Sequence, residues 1–156
     1  MNLRLCTRRA MLGLISSAGV GLATGVRAAT RPTIKVWKDP NCGCCTGWVE
    51  HLRRNGFIAT IVETADMQAV KTRLGVPAEL AACHTAEIAR YIIEGHVPAQ
   101  AITRLIAEKP DAIGLAVPGM PVGSPGMEVG DRRDPYQVLL IDKRGRDSVF
   151  ARYPKA

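Results

Sequence analysis

The sequence predicts an α/β fold: a small mixed sheet flanked by helices, with one helix inserted after the third strand and a β-hairpin at the C-terminus. Three observations carry the prediction. Segments with strand and helix periodicity alternate from residue 33 to 109, glycine or proline punctuates most of their boundaries, and the last two apolar runs flank a short charged turn.

"TIKVW" (33–37) alternates and is rich in β-branched residues, the pattern of a strand. "DPN" then breaks the chain. From 44 to 55, Cys45, Trp48, Val49 and Leu52 fall at i, i+3, i+4 and i+7, one apolar face of a helix that Gly56 ends. "FIATIVE" (57–63) reads as a second strand, and "ADMQAVKTRLG" (65–75) as a second helix with Asp66 near its start and Gly75 at its end. Ile88, Tyr91, Ile92 and Ile93 favour extended structure, so 86–95 is expected to be one strand, closed by Glu94-Gly95. "PAQAITRLIAEK" (98–109) is a helix with proline in its first turn and Lys109 in its last, and "AIGLAV" is a short strand. Residues 118–135 hold four glycines and four prolines, a loop of the length that is usually functional or disordered. "YQVLLI" and "DSVFARY" around "DKRGR" form the terminal hairpin.

The 156 residues suffice for one domain with a real core. Aromatics are only 4%, so that core is built largely from Val, Ile, Leu and Ala. The net charge of +7 is unevenly placed. Arg4, Arg8, Arg9 and Arg27 lie in the first 28 residues, which contain no Asp or Glu. This segment has a basic start, a weakly apolar run and the small-residue site Val26-Arg27-Ala28, the three parts of a cleavable export signal over 1–28. Four glycines and two serines make the run a poor membrane span. "TRRAML" resembles the twin-arginine type, without the lysine often found after the apolar pair, so Tat and Sec routes both stay open. Without the leader, the single domain 29–156 has 17 cations against 14 anions and no basic stripe interleaved with aromatics, which argues against a nucleic-acid partner; with the signal removed, no stable membrane span is expected.

Cys6 belongs to the leader, leaving Cys42, Cys44, Cys45 and Cys83. In an exported protein these thiols are expected to be paired, held as metal thiolates, or cycled by a partner. Cys42 and Cys45 have the CxxC spacing, at a strand–helix junction that matches the thioredoxin placement, where helix N–H groups favour thiolate. The loop entering the third strand would bring Cys83-His84 against them. A thiol–disulfide oxidoreductase needs an attacking Cys42 and a resolving Cys45, and the third thiol, Cys44, competes with both. Purely structural disulfides would have to pair Cys44 or Cys45 with Cys83 and fit the neighbours awkwardly. Cys42, Cys44, Cys45, Cys83 and His84 together exceed the four ligands of tetrahedral zinc, and surplus thiolates suit a soft cation that tolerates bridging sulfur, with Cu(I) the obvious candidate.

Met120 and Met127 in the Gly/Pro loop offer soft thioethers, although gap-filling is the commoner role of methionine. His51 lies about 10 Å along the helix axis from Cys44 and reads as a surface residue. His96, in "EGHVP", reads as a cap-region residue outside the ligand set. Glu79, Glu87 and Glu94 show no obvious pairing, and "GSPG" lacks the context of a phosphate loop.

"KDPNCGCCTGW", "LGVPAELAACHTAEI", "IEGHVPAQAI" and "GLAVPGMPVGSPGME", in this order, resemble the exported CopG-type family linked to copper resistance, over about residues 33 to 153. The resemblance implies a thioredoxin-like fold that binds clustered copper through its CxCC and Cys-His motifs, here Cys42, Cys44, Cys45, Cys83 and His84, and that is thought to interconvert Cu(I) and Cu(II). It implies a periplasmic or otherwise exported protein with copper ions as partners, together with periplasmic copper-handling proteins. The expectation is therefore a copper-binding protein, with the Cys42/Cys45 oxidoreductase as the alternative and a zinc or structural metal module as a third reading.

Overall fold

The computed structural model describes residues 30–153; the export segment expected over 1–28 lies outside them. Alternation in the sequence becomes β1 (Thr33–Lys38), α1 (Gly43–Arg54), β2 (Ile58–Glu63), α2 (Met67–Leu74), a 3₁₀ turn (Ala78–Leu80), β3 (His84–Ile88), β4 (Tyr91–Gly95), α3 (Ala99–Glu108), β5 (Ala112–Val117), β6 (Tyr136–Asp142) and β7 (Asp147–Tyr153). The strands form one mixed sheet in the order β2-β1-β3-β4-β5-β6-β7. β1 runs parallel to β2 and β4 to β5, while every other neighbouring pair is antiparallel. The α/β class and the terminal hairpin are as the sequence predicts. Among the described residues no helix is long and apolar enough to cross a membrane.

One element differs in kind. The single strand expected over 86–95 is a hairpin, β3 and β4, turning at Ala89-Arg90 with Ile88 opposite Tyr91. Its turn contains none of the Gly, Asn, Asp or Pro residues that signal one, and Ala89 sits at φ +53°. The helix read as an insertion after the third strand therefore follows the fourth. Glu94, read as part of a closing turn, lies inside a strand and is fully buried.

Strand register sorts side chains onto two faces. Ile34, Val36, Ala86, Ile88, Ile93, Leu115 and Val117 meet Trp48, Val49 and Leu52 of α1 and Ala101, Ile102 and Leu105 of α3 in the main core. The opposite face carries Trp37, Thr85 and Glu94, which sit side by side because Trp37 pairs with Thr85 and Thr85 with Glu94. α2 covers that face, with Arg73 over the Trp37 ring at 5.1 Å and the Lys71 ammonium bonded to Thr85 and Glu94. Asp66 caps α2 by accepting from the Ala69 N–H at 2.9 Å. α3 is tied to the terminal hairpin through Arg104, whose guanidinium lies 4.1 Å from the Phe150 ring and donates to the Phe150 carbonyl.

Ala89 is exposed and its left-handed conformation costs an L-residue about 1–2 kcal/mol, more than glycine loses in chain entropy. Ala89→Gly is therefore expected to stabilise the protein by roughly 0.5–1 kcal/mol. Urea unfolding should show a higher midpoint at unchanged slope; a lower midpoint would contradict the hairpin.

Candidate metal centre

The segment "KDPN" builds the entry to α1. Asp39 accepts from the Asn41 N–H through its side chain and from the Cys42 N–H through its carbonyl. The buried Lys38 donates to the Pro40 carbonyl and pairs with Glu63, both at 3.3 Å. Cys42 is the residue before the helix, so Cys44 and Cys45 fall in its first turn. β1 and β3 are antiparallel with Lys38 opposite His84, which sets Cys83-His84 against that turn.

The structure brings together all five residues singled out from the sequence. Cys42, Cys44, Cys45 and Cys83 form a group whose sulfurs all lie within 4.8 Å of one another. Cys42 and Cys45 are joined as a disulfide, while Cys44 and Cys83 are free thiols. The Cys44 sulfur lies 3.5 Å from that of Cys42 and 3.9 Å from that of Cys83. Cys45 is fully buried and Cys42 only partly so. The fully buried His84 packs on the Trp48 ring, centroids 4.3 Å apart, with Nδ1 3.4 Å from the Cys83 sulfur.

His96 is the residue that sequence reasoning left out. It is fully buried, and its Nε2 lies 3.1 Å from the Cys83 sulfur. Its Nδ1 is 2.8 Å from the Pro125 carbonyl, an acceptor only, so Nδ1 carries the proton and the Nε2 lone pair faces the sulfur. A carbonyl that fixes the tautomer of a histidine in this way is the common outer partner of a metal ligand. The signal for it was absent from local pattern, because Cys83 and His96 meet only through the unrecognised hairpin. His51 is half-buried rather than on the surface, and its Nε2 accepts from the Ala99 N–H at the start of α3.

The long loop folds over the centre. Gly126, at φ +85°, lies so close to α1 that a Cβ would stand 2.6 Å from both the Cys44 carbonyl oxygen and the Trp48 nitrogen. Ser124 and Glu128 hold its turn by bonds to the Pro121 carbonyl and the Gly126 N–H. Met127 follows this glycine and is half-buried; Met120 is exposed.

Electrostatically the pocket disfavours protonated imidazole and a free Cys83 thiolate alike. Burial pushes the Cys83 thiol up to about 12, with the neighbouring Cys44 adding to the effect and the Lys71 ammonium opposing it. Burial, then the charge of His96 and Lys71, holds His84 well below the usual histidine range. His96 and His51 are lowered as well, chiefly by burial. Among the described residues, His84 Nε2 is the one buried side-chain nitrogen or oxygen without a hydrogen-bond partner. Leaving such an atom unpaired costs about 1–3 kcal/mol. The other ring nitrogen, Nδ1, is the one that faces the Cys83 sulfur, so the imidazole reaches the sulfur donors through Nδ1. The donor set, four sulfurs with Cys83, His84 and His96 as a second overlapping cluster, fits a soft or borderline cation.

Lowered histidines make the folded state bind fewer protons than the unfolded chain, so stability is full above the unfolded value of about 6.5 and falls as pH drops below it. In metal-free protein, the urea midpoint should fall from pH 7.5 to 5.5, with His84 alone giving a slope approaching about 1.4 kcal/mol per pH unit. Glu94, whose carboxyl burial raises, acts oppositely from about pH 4.5 upward. His84→Asn should flatten the profile; an unchanged slope would show that His84 is not held neutral.

A family model described as a protein of unknown function, DUF411, matches residues 80–127, which include Cys83, His84, His96 and Gly126. No curated protein matches the chain. Two solved structures of a copper resistance protein CopG, its Form 2 and Form 1, each share 54% identity with it. Each alignment covers 79% of this chain and 98% of the other, with TM-scores of 0.75 and 0.74. Identity at this level along nearly the whole of those structures leaves one conclusion: the chain belongs to the CopG family of copper resistance proteins.

Proposed function

We propose that this is an exported copper-binding protein that holds Cu(I) at Cys42, Cys44, Cys45 and Cys83, with His84 and His96 as nitrogen donors. The observation that carries the reading is the meeting of four sulfurs from two segments 39 residues apart, against buried imidazoles of which one has an orphaned nitrogen. Six donors exceed what one tetrahedral zinc needs and suit several Cu(I) ions sharing bridging thiolates. Met120 and Met127 are secondary thioether candidates. Copper tolerance, sequestration or redox handling are the roles such a site serves, with periplasmic copper-handling proteins as partners. Residues 1–28 are proposed as the signal that delivers the domain 29–156 to the periplasm.

Two chemical conditions follow from the site. The Cys42–Cys45 disulfide must take up two electrons from an external reductant, such as a partner dithiol, before its sulfurs can serve as thiolates. Cys83 holds its proton to about 12, so a bound metal must displace it, and binding releases acid.

The disulfide also supports a second reading, a thiol–disulfide oxidoreductase. The more accessible Cys42 would take the attack of a partner thiolate, releasing buried Cys45 as the resolving thiol.

Reduced, anaerobic mature protein is expected to take up more than one Cu(I) per chain in competition with a chromophoric chelator. Cys44→Ser should lower the affinity at least tenfold, and the oxidised protein should bind substantially less. Copper uptake unaffected by Cys44→Ser, together with disulfide reductase turnover abolished by Cys45→Ser, would decide for the oxidoreductase.

A further inference from the structure

Behind the centre, on the α2 side of the sheet, lies a buried ionic cluster that the site's donors do not use. Glu94 is fully buried, and the Lys71 side chain is 8% exposed. One carboxylate oxygen of Glu94 accepts from the Lys71 ammonium at 2.5 Å and from the Ala82 N–H at 2.6 Å. The other accepts from the Thr85 hydroxyl at 2.7 Å, and Lys71 also donates to Thr85 at 2.9 Å.

A buried ion pair is a poor source of stability, because desolvation offsets most of its attraction; apolar residues of similar volume often do as well. In some proteins such a pair serves to specify geometry, and the partners here point to that role. Ala82 immediately precedes Cys83, and Thr85 immediately follows His84. Ala82 lies before β3 begins, outside the strand register, and the carboxylate supplies its acceptor. Glu94 is itself joined to His96 through Gly95, whose φ of +70° turns the chain. A Cβ on Gly95 would stand 2.7 Å from the Ala82 Cβ, so the two segments are in contact there as well.

We propose that Glu94 is a positioning residue that clamps Cys83, His84 and His96 in register with the CxCC turn, and that Lys71 is present to make its burial tolerable. The inference rests on the copper reading for what the positioned side chains do, and on the hydrogen bonds alone for the clamp.

Two paired substitutions test it. Lys71→Met/Glu94→Leu removes both charge and acceptor; Lys71→Met/Glu94→Gln removes the charge but keeps a carbonyl acceptor for Ala82. Three quantities are read: thermal unfolding of metal-free protein, hydrogen exchange at the Ala82 amide, and Cu(I) affinity by chelator competition. The Met/Leu pair should unfold near the wild-type temperature, exchange at Ala82 at least tenfold faster, and bind Cu(I) at least tenfold more weakly. The Met/Gln pair should recover Ala82 protection and come within threefold of wild-type affinity. Wild-type Cu(I) affinity in the Met/Leu pair would overturn the proposal. So would equal losses in the two pairs, which would assign the effect to charge. If the Met/Leu pair does not fold, the Met/Gln pair decides alone: affinity more than tenfold below wild type with Ala82 still protected overturns it. A wild-type chain that takes up no Cu(I), with Ala82 protection still dependent on Glu94, would overturn the copper reading and leave only a structural clamp, a distinguishable failure.

Discussion

The antiparallel pairing of β1 with β3 is the constraint on which the rest of the centre depends. Lys38 at the end of one strand faces His84 at the start of the other, so the chain leaving β1 and the chain entering β3 lie at the same end of the sheet. The first builds the CxCC turn and the second supplies Cys83-His84. A one-residue slip would send His84 to the α2 side of the sheet, away from Trp48, and Thr85 to the α1 side, away from Lys71. The register is fixed by two unlike sets of contacts: apolar packing of Ile34, Val36, Ala86 and Ile88 beneath α1, and the ionic cluster of Thr85 and Glu94 beneath α2. The same register therefore turns His84 toward Trp48 and the cysteine turn on one face and, on the other, sets Thr85 beside Glu94 of β4, whose carboxylate holds the Ala82 N–H.

Much of this was legible because it was local. The helix beginning near Cys44 followed from the 3.6-residue spacing of Cys45, Trp48, Val49 and Leu52, all four of which are buried. Cys83-His84 was placed beside the CxCC motif by topology and arrives there. What escaped was carried by residues without a local signature. Ala89-Arg90 turns the chain with no turn-forming side chain, because sheet pairing on both flanks holds Ala89 at positive φ against its preference. Missing that turn also hid His96, which reaches Cys83 only when β4 runs back alongside β3. Glu94, seen as unpaired in the sequence, finds Lys71 across 23 residues, a pairing that no periodicity reports.

The long Gly/Pro loop shows why composition alone left its role open. Its glycines and prolines would suit a disordered linker equally well. In the fold, Gly126 is pressed against the first turn of α1 where a side chain has no room, and the preceding Pro125 carbonyl orients His96. One turn of the loop thus touches both halves of the centre, the cysteine turn through Gly126 and the histidine through Pro125. Its residues act by shape and by a backbone carbonyl, neither of which depends on a recognisable side-chain motif.

Cys44 is where the two chemical readings part. With Cys42 and Cys45 bridged, the thiol between them lies close to the Cys42 sulfur and to Cys83, in contact with both cysteine segments at once. For disulfide exchange that position is a liability, since a neighbouring thiol can capture the attacked sulfur before an external partner does. For a soft metal it is an asset, because a sulfur between two others can bridge ions that neither set alone would hold. The surrounding protein weighs on the same side. Simple exchange makes no use of two buried imidazoles that each turn a ring nitrogen to the Cys83 sulfur, an arrangement that suits a metal centre. Under the copper-binding function proposed above, the CxxC disulfide is the form in which two of the ligands are stored, and reduction is the event that makes them available.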